Sequence, residues 1–188
     1  MGHFRPFERP LWRHFVWRLE FVNALYEFLA TPLALEALRG TPFLPWYLRL
    51  LGARIGRRVY IHTTGFLEFD LVEVGDRAAL NEDCVVQTHL FEDRILKASG
   101  LRIGADCSVG TNSVVLYDSE MENGARLDAL SLLMKGERLP EGTVWAGIPA
   151  AWRDQAGPAP AAQPVGVSRA HAQQRNEKRT RSTLESAA

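Results

Sequence analysis

From residue 55 to residue 150 a large apolar side chain recurs every six positions. The run reads Ile55, Ile61 and Leu67, then Val74, Leu80 and Val86. From Ile103 it holds without a slip through Val109, Val115, Met121, Leu127, Leu133, Leu139 and Trp145. Small residues recur four places after these leads, among them Gly65, Ala78, Cys84, Cys107, Ser113, Ser119, Ala125, Ser131 and Thr143. Glycine, asparagine or aspartate often follows the lead directly, as at Gly56, Gly75, Asn81 and Gly110. An α-helix repeats about every 3.6 residues and a strand every two, so neither sustains a period of six. A fixed hexad is the signature of a parallel β-helix, in which each hexad supplies one short strand and one corner. The lead residue points inward and the small residue lets the chain turn.

Three hexads make a triangular coil of about eighteen residues. The full coils are expected at 55–72, 74–91, 103–120 and 121–138, with a partial coil running to residue 150. Glu73 then reads as a one-residue insertion and 92–102 as a long one. Both leave from the same corner, and insertions confined to one corner often mark a binding face. The charged and apolar residues of 92–102 suit a loop that reaches a neighbouring subunit, or a hairpin folded back on its own prism.

These hexads, and the closing string Trp145-Ala146-Gly147-Ile148-Pro149-Ala150, resemble the hexapeptide-repeat acyltransferases. The strings RGTPFLPWYLRLLGARIGRRVYIHTT, LNEDCVVQTHLFEDRILK, SVVLYD and LMKGERLPEGTVWAGIPA are similar to the C-terminal region of ε-poly-lysine-synthetase-like nonribosomal peptide synthetases. The resemblance covers roughly 11–152. It implies a mainly β fold, a left-handed parallel β-helix, against the usual right-handed crossover. It also implies an acyltransferase whose thioester donor, on coenzyme A or on the phosphopantetheine of a carrier protein, lies in a groove between two prisms of a homotrimer, and whose acceptor is an amine or a hydroxyl. Lys135 and the turn Trp145, Ala146 and Gly147 are the donor contacts expected on that basis. The peptide synthetase branch favours amide formation and a carrier protein as partner.

The remaining sequence divides the chain into an N-terminal helical extension and cap at 1–54, the β-helix at 55–150 and a flexible tail at 151–188. Lys plus Arg and Asp plus Glu both number 22, so nothing points to nucleic acid as a partner. Cys84 and Cys107 fall at inward positions on different faces and are expected as free buried thiols. With no signal peptide visible, that fits a reduced, cytoplasmic setting.

Leu11, Phe15, Leu19, Val22, Tyr26 and Leu29 repeat at helical spacing. Charges interrupt the run and argue against a membrane span; the helix is expected to pack on the end of the β-helix, and the alternative, suited by Trp12, Trp17 and Arg18, is a helix lying at a membrane surface. Thr31-Pro32 is expected to end that helix. A second short helix should follow over 33–39, with Gly40 as its C-cap. Phe43, Leu44, Trp46 and Leu48 are expected to plug the open end of the prism. In the tail, 157–162 reads as a linker and 168–185 as disordered or weakly helical.

Among the five histidines, His89 stands out. It is the fourth residue of the third hexad in the second coil, at the corner immediately before the long insertion. Stacking by hexads sets Asp70 below it and Asp118 above it, with Gly136 in the fourth coil. One place earlier the stack reads Phe69, Thr88, Tyr117 and Lys135. A carboxylate beside an imidazole raises its pKa and orients it, which is what a general base needs. The same pattern could be a ladder of polar turn residues, and the whole β-helix a trimerisation or scaffolding module without catalysis. His62 follows a lead and is expected at the surface. No metal is expected, because only His62 and His89 lie in the coils and their hexad positions differ.

Overall fold

The structure is a computed structural model that describes residues 5–153. The expected linker at 157–162 and the segment 168–185 lie outside the described residues.

Three parallel sheets form the faces of a prism. The first stacks Arg54–Ile55, Val72–Val74, Leu101–Ile103, Glu120–Met121 and Arg138–Leu139. The second stacks Tyr60–Ile61, Ala79–Leu80, Ser108–Val109, Arg126–Leu127 and Val144–Ala146, and the third Gly65–Phe66, Val85–Gln87, Val114–Leu116 and Leu132–Leu133. The register aligns Ile55, Val74, Ile103, Met121 and Leu139 on one face, and Ile61, Leu80, Val109, Leu127 and Trp145 on the next. Every lead residue so aligned is buried. The core is thus a column of apolar side chains, each stacked on its equivalent one rung, about 4.8 Å, away.

The first coil departs from the expected phase. On the third face Phe66, not Leu67, aligns with Val86. Thr63 causes the slip: its Oγ1 donates to the Cys84 carbonyl at 2.6 Å and accepts from the Gly65 N–H at 3.0 Å. That tight corner uses one residue fewer. The length is recovered afterwards, through a left-handed Glu68 and a 3₁₀ turn at Phe69–Leu71. Glu73 is therefore no insertion. It sits in the strand Val72–Val74, paired in register with Arg54 and Arg102.

The corners are made differently from the expectation. The left-handed residue is the third after the lead: Arg58, Arg77, Asp106, Gly124 and Gly142 at one corner, and Asp83, Asn112 and Leu130 at the next. The small residues one place further, such as Ala78, Cys84, Ser113 and Ala125, are buried under the turn. Left-handed backbone costs an ordinary L-residue roughly 1–2 kcal/mol, a cost met here by the hydrogen bonds and burial of each coil. The glycines after the lead serve close approach instead: a Cβ on Gly75 would lie 2.5 Å from the Ala105 nitrogen in the next coil. Cys84 and Cys107 are free and buried, as expected, and burial pushes the Cys84 thiol up to about 12.

The outer surfaces of the faces differ. The first carries an in-register ladder of alternating charge, Arg54, Glu73, Arg102, Glu120 and Arg138, with ion pairs of 2.9 to 3.9 Å. The third presents Gly65, Val85, Val114 and Leu132, all partly exposed.

The long insertion is a hairpin. Strands His89–Glu92 and Ile95–Ala98 pair across Asp93 and Arg94, both left-handed, as a two-residue primed turn requires. Phe7–Pro10 adds a third antiparallel strand to it, so the N-terminal lead-in is a strand. Helix α1 (His14–Leu25) then packs Val16 and Leu19 on Leu96 of the hairpin. The insertion thus folds back and binds its own N-terminal extension.

Thr31-Pro32 does not end the helix. Tyr26–Leu35 continues as a wide π turn that accommodates Pro32, and Glu36–Leu38 closes in 3₁₀ form. Helix α2 (Phe43–Leu50) plugs the prism with Leu44 and Leu48, both 0% exposed, but Phe43 and Trp46 point outward at 65% and 59%. Trp17, Phe21, Leu25 and Phe28 likewise form an exposed apolar stripe. By length and composition alone His14–Leu38 is apolar enough to cross a membrane, against the expectation drawn from its charges.

Candidate active site

The strand Val85–Gln87 ends the third face in the second coil, and the chain then leaves the prism through Thr88 and His89 into the hairpin. The His89 side chain is only 6% exposed. Its Nδ1 lies 2.9 Å from Glu68 Oε2. A carboxylate can only accept, so in the neutral imidazole Nδ1 carries the proton and Nε2 keeps its lone pair. Nε2 bonds to no described residue and is not sealed from solvent. Phe91 packs edge-on against the imidazole, with ring centroids 5.6 Å apart. The imidazole is thereby held from two sides with one nitrogen open.

Glu68 is an unusual residue in an unusual place. Its side chain has 0% exposure. Its φ is +38°, a left-handed value that a glutamate adopts only when the surroundings impose it. Thr88 Oγ1 reaches both the Leu67 carbonyl, at 2.9 Å, and Glu68 Oε2. Oε1 is buried without a hydrogen-bond partner among the described residues. Burial disfavours the His89 imidazolium, but the hydrogen bond to Glu68 and the charges of Glu68, Glu20 and Glu27 outweigh it and hold the pKa above the ordinary histidine value.

Neither expected carboxylate is the one on His89. Asp70 is turned toward the cap, where a Cβ on Gly52 would collide with its Oδ1. Asp118 accepts a 3.3 Å hydrogen bond from Ser99 Oγ, and its N–H donates to the Gly100 carbonyl at 2.8 Å. The hairpin causes this second displacement: Ser99 N–H bonds to the Thr88 carbonyl and Ala98 pairs with His89, so the returning strand stands between His89 and Asp118. Glu68 was legible only through the phase of the first coil. Choosing Phe66 as the lead sets Glu68 under Thr88, one place before His89, and the sequence offers both Phe66 and Leu67.

Of the residues expected as donor contacts, Lys135 sits beside the hairpin and Trp145, Ala146 and Gly147 lie further along the prism. Lys135 is ion-paired with Glu92 of the hairpin, which also binds Lys97 at 3.0 Å, and sits 6.0 Å over the Tyr117 ring. Hydrogen bonds from Lys135 and Lys97 hold the Glu92 carboxyl below its ordinary range. Trp145 is 6% exposed, a core residue whose Nε1 donates to Thr143 Oγ1 at 2.9 Å, so its ring presents almost no surface to a ligand. Gly147 N–H is taken by Ser131 Oγ at 3.0 Å. Trp145 and Ala146 lie on the second face and Gly147 turns onto the third, its carbonyl accepting from the Leu132 N–H at 2.9 Å, three coils beyond His89 and about 14 Å along the axis at one rung per coil. His62 is half-buried and stacks on Tyr60 at 6.1 Å. Among the described residues no group of three His, Cys, Asp or Glu side chains is placed to hold a metal ion.

The prism defines the class of the fold. A maltose O-acetyltransferase from Clostridium difficile 630 has the same architecture, at a TM-score of 0.51 and 15% identity over 76% of this chain and 88% of that one. So does a hexapeptide-repeat-containing acetyltransferase from Vibrio cholerae, at a TM-score of 0.50 and 16% identity over 72% and 89%. The chain therefore has the left-handed parallel β-helix fold of these hexapeptide-repeat proteins. In sequence it is similar to a delta-poly-L-ornithine synthetase from Acinetobacter baumannii (strain AB307-0294), with 47% identity over 150 residues. That similarity takes in 80% of this chain but only 11% of the synthetase. No family model matches the chain. The resemblance to a poly-amino-acid synthetase read from the quoted strings is borne out.

Proposed function

We propose that this chain forms amide bonds by moving an acyl or aminoacyl group from a thioester to an amine, with His89 as general base. The observation that carries this reading is the His89 imidazole itself. Its Nδ1 is held by Glu68 at 2.9 Å, and its Nε2 bonds to no described residue. The acceptor nitrogen attacks the thioester carbonyl carbon and gives its proton to Nε2. The carbon–sulfur bond breaks, the sulfur leaves as a thiolate and takes up the proton, and a carbon–nitrogen bond remains. Proton transfer of this kind contributes roughly a hundred- to ten-thousand-fold.

A pantetheine arm is extended, with two amides and a hydroxyl between short aliphatic stretches, and the outer stripe of Val85, Val114 and Leu132 suits its aliphatic parts. Coenzyme A and a carrier-protein phosphopantetheine share that arm. The name of the ornithine polymer synthetase supports amide formation over ester formation. The test is a mass measurement of products from purified protein, a panel of aminoacyl and acyl thioesters, and amine acceptors. We expect a new amide with loss of the thioester. If no thioester is consumed, the catalytic reading fails and a scaffold role replaces it.

The apolar third face also supports a homotrimer in which a second prism covers the donor stripe. The charged ladder makes the first face unsuited to that contact. The exposed stripe of Trp17, Phe21, Leu25 and Phe28, with Arg18 beside it, supports attachment of the trimer to a membrane surface. Sedimentation velocity reads both: the chain alone should run at three times its monomer mass, and it should co-sediment with anionic lipid vesicles. A monomer at tens of micromolar counts against the shared groove, and protein left in the supernatant counts against the membrane surface.

A further inference from the structure

A groove of about 170 Å³ runs between the N-terminal helical segment and the third face of the prism. Tyr26 and Glu27 form one wall, and the strands Gly65–Phe66 and Val85–Gln87 with Leu67 form the other. Three features make it more than a packing defect. Gly65 has no side chain, which leaves the floor open. Tyr26 props the helix over it, its OH donating to the Thr64 carbonyl at 3.1 Å and its ring edge-on to Phe69 at 5.3 Å; burial raises the Tyr26 pKa, so that OH stays a donor. The groove also borders the catalytic corner: Gln87 Nε2 donates to the His89 carbonyl at 3.0 Å, and the Leu67 carbonyl accepts from Thr88.

The lining is chemically selective. It is mostly aliphatic and aromatic, with one carboxylate, Glu27, exposed at its rim. Glu27 has no hydrogen bond or ion pair with any described residue. A narrow apolar trough ending in an anionic group is complementary to a short alkyl chain ending in an ammonium. The Glu68 Oε1, buried and without a hydrogen-bond partner among the described residues, belongs to the residue that follows Leu67 of the lining. Glu27 and Glu20, seven residues apart on one side of the helix, both act electrostatically on His89, which places them around the same corner.

We propose that this groove binds the alkylammonium arm of the acceptor and that Glu27 is the residue that selects for its positive charge. The acceptor is then a diamine or diamino acid, one amine attacking at His89 while the other rests on Glu27. This rests on the amide-forming role proposed for His89 and adds the class of acceptor. It also gives the N-terminal extension a part in the site.

The experiment compares 1,4-diaminobutane with butylamine, which differ by the second ammonium. Wild type should have a KM about tenfold lower for the diamine. Glu27→Gln should raise that KM to the butylamine value, and Glu27→Lys should invert the preference. A Glu27→Gln enzyme that transfers to amines and still prefers the diamine overturns the proposal. If wild type transfers to neither amine, the function proposed for His89 falls and the groove is judged by binding alone. Chemical shifts of residues 64–67 moved by 1,4-diaminobutane in wild type but not in Glu27→Gln support it, and unmoved shifts in wild type overturn it.

Discussion

Replacing His89 with alanine should lower turnover by about a hundredfold or more, the loss expected when a general base is removed. The variant also disturbs the fold. It leaves the Glu68 carboxylate, with 0% side-chain exposure, holding a single hydrogen bond to Thr88. Stranding a buried polar group costs about 1–3 kcal/mol, and more for a charged one. His89→Gln separates the two effects. The amide N–H₂ can still donate to Glu68, so the melting temperature should stay close to wild type, but glutamine has no basic nitrogen and turnover should remain lost. Full transferase activity in either variant would remove His89 from the mechanism.

The pH profile supplies a second view of the same pair. The His89 pKa lies above its ordinary value in the folded chain. Only the neutral imidazole accepts a proton, so turnover should climb as pH rises through that raised pKa. Stability should move the other way. A histidine whose folded pKa is raised contributes stability that is complete below its unfolded pKa and is lost as pH rises through the folded one. Glu68→Gln keeps the acceptor oxygen but removes the charge. The activity limb should shift to lower pH and the fall in stability should flatten. An unshifted limb would mean that Glu68 does not set the protonation of His89.

The second large effect concerns the core. Leu127→Asp should leave the β-helix unfolded at room temperature. Leu127 is 1% exposed in the column between Val109 and Trp145. Removing a buried leucine side chain alone costs about 2–5 kcal/mol. An unpaired carboxylate in the same place adds a further desolvation cost, against a total stability of about 5–15 kcal/mol. A repeat structure cannot bypass the loss, because each coil is held mainly by its two neighbours. The adjacent Arg126 points outward, and Arg126→Asp should change stability by no more than about 0.5 kcal/mol. Thermal melts followed by circular dichroism distinguish the pair. Cooperative, near-normal melting of Leu127→Asp would mean the inward and outward faces are reversed.

Much of this architecture was legible without coordinates, because a β-helix writes its period into the chain. Each lead residue faces the same interior, so Ile103 to Trp145 needed only to be counted in sixes. The insertion at 92–102 and the choice of His89 came from that counting. The partner of His89 did not. Hexad counting assumes that every corner spends the same number of residues. The first coil breaks that rule when Thr63 bonds across to Cys84; the residue saved there sets Glu68 under Thr88, and from that place its carboxylate, not that of Asp70, reaches the imidazole. Asp118 was displaced by hydrogen bonding of another kind, the pairing of Ala98 with His89 in a hairpin that a linear repeat cannot represent. Pro32 was read as a helix stop because local sterics favour one, yet a π turn packed on the prism carries the helix past it. The period of the core is a local property repeated many times, so the sequence alone determined it. The site depends on one shortened corner, one returning strand and one helix laid across a face, and these are set by long-range hydrogen bonds and packing that only the tertiary structure decides.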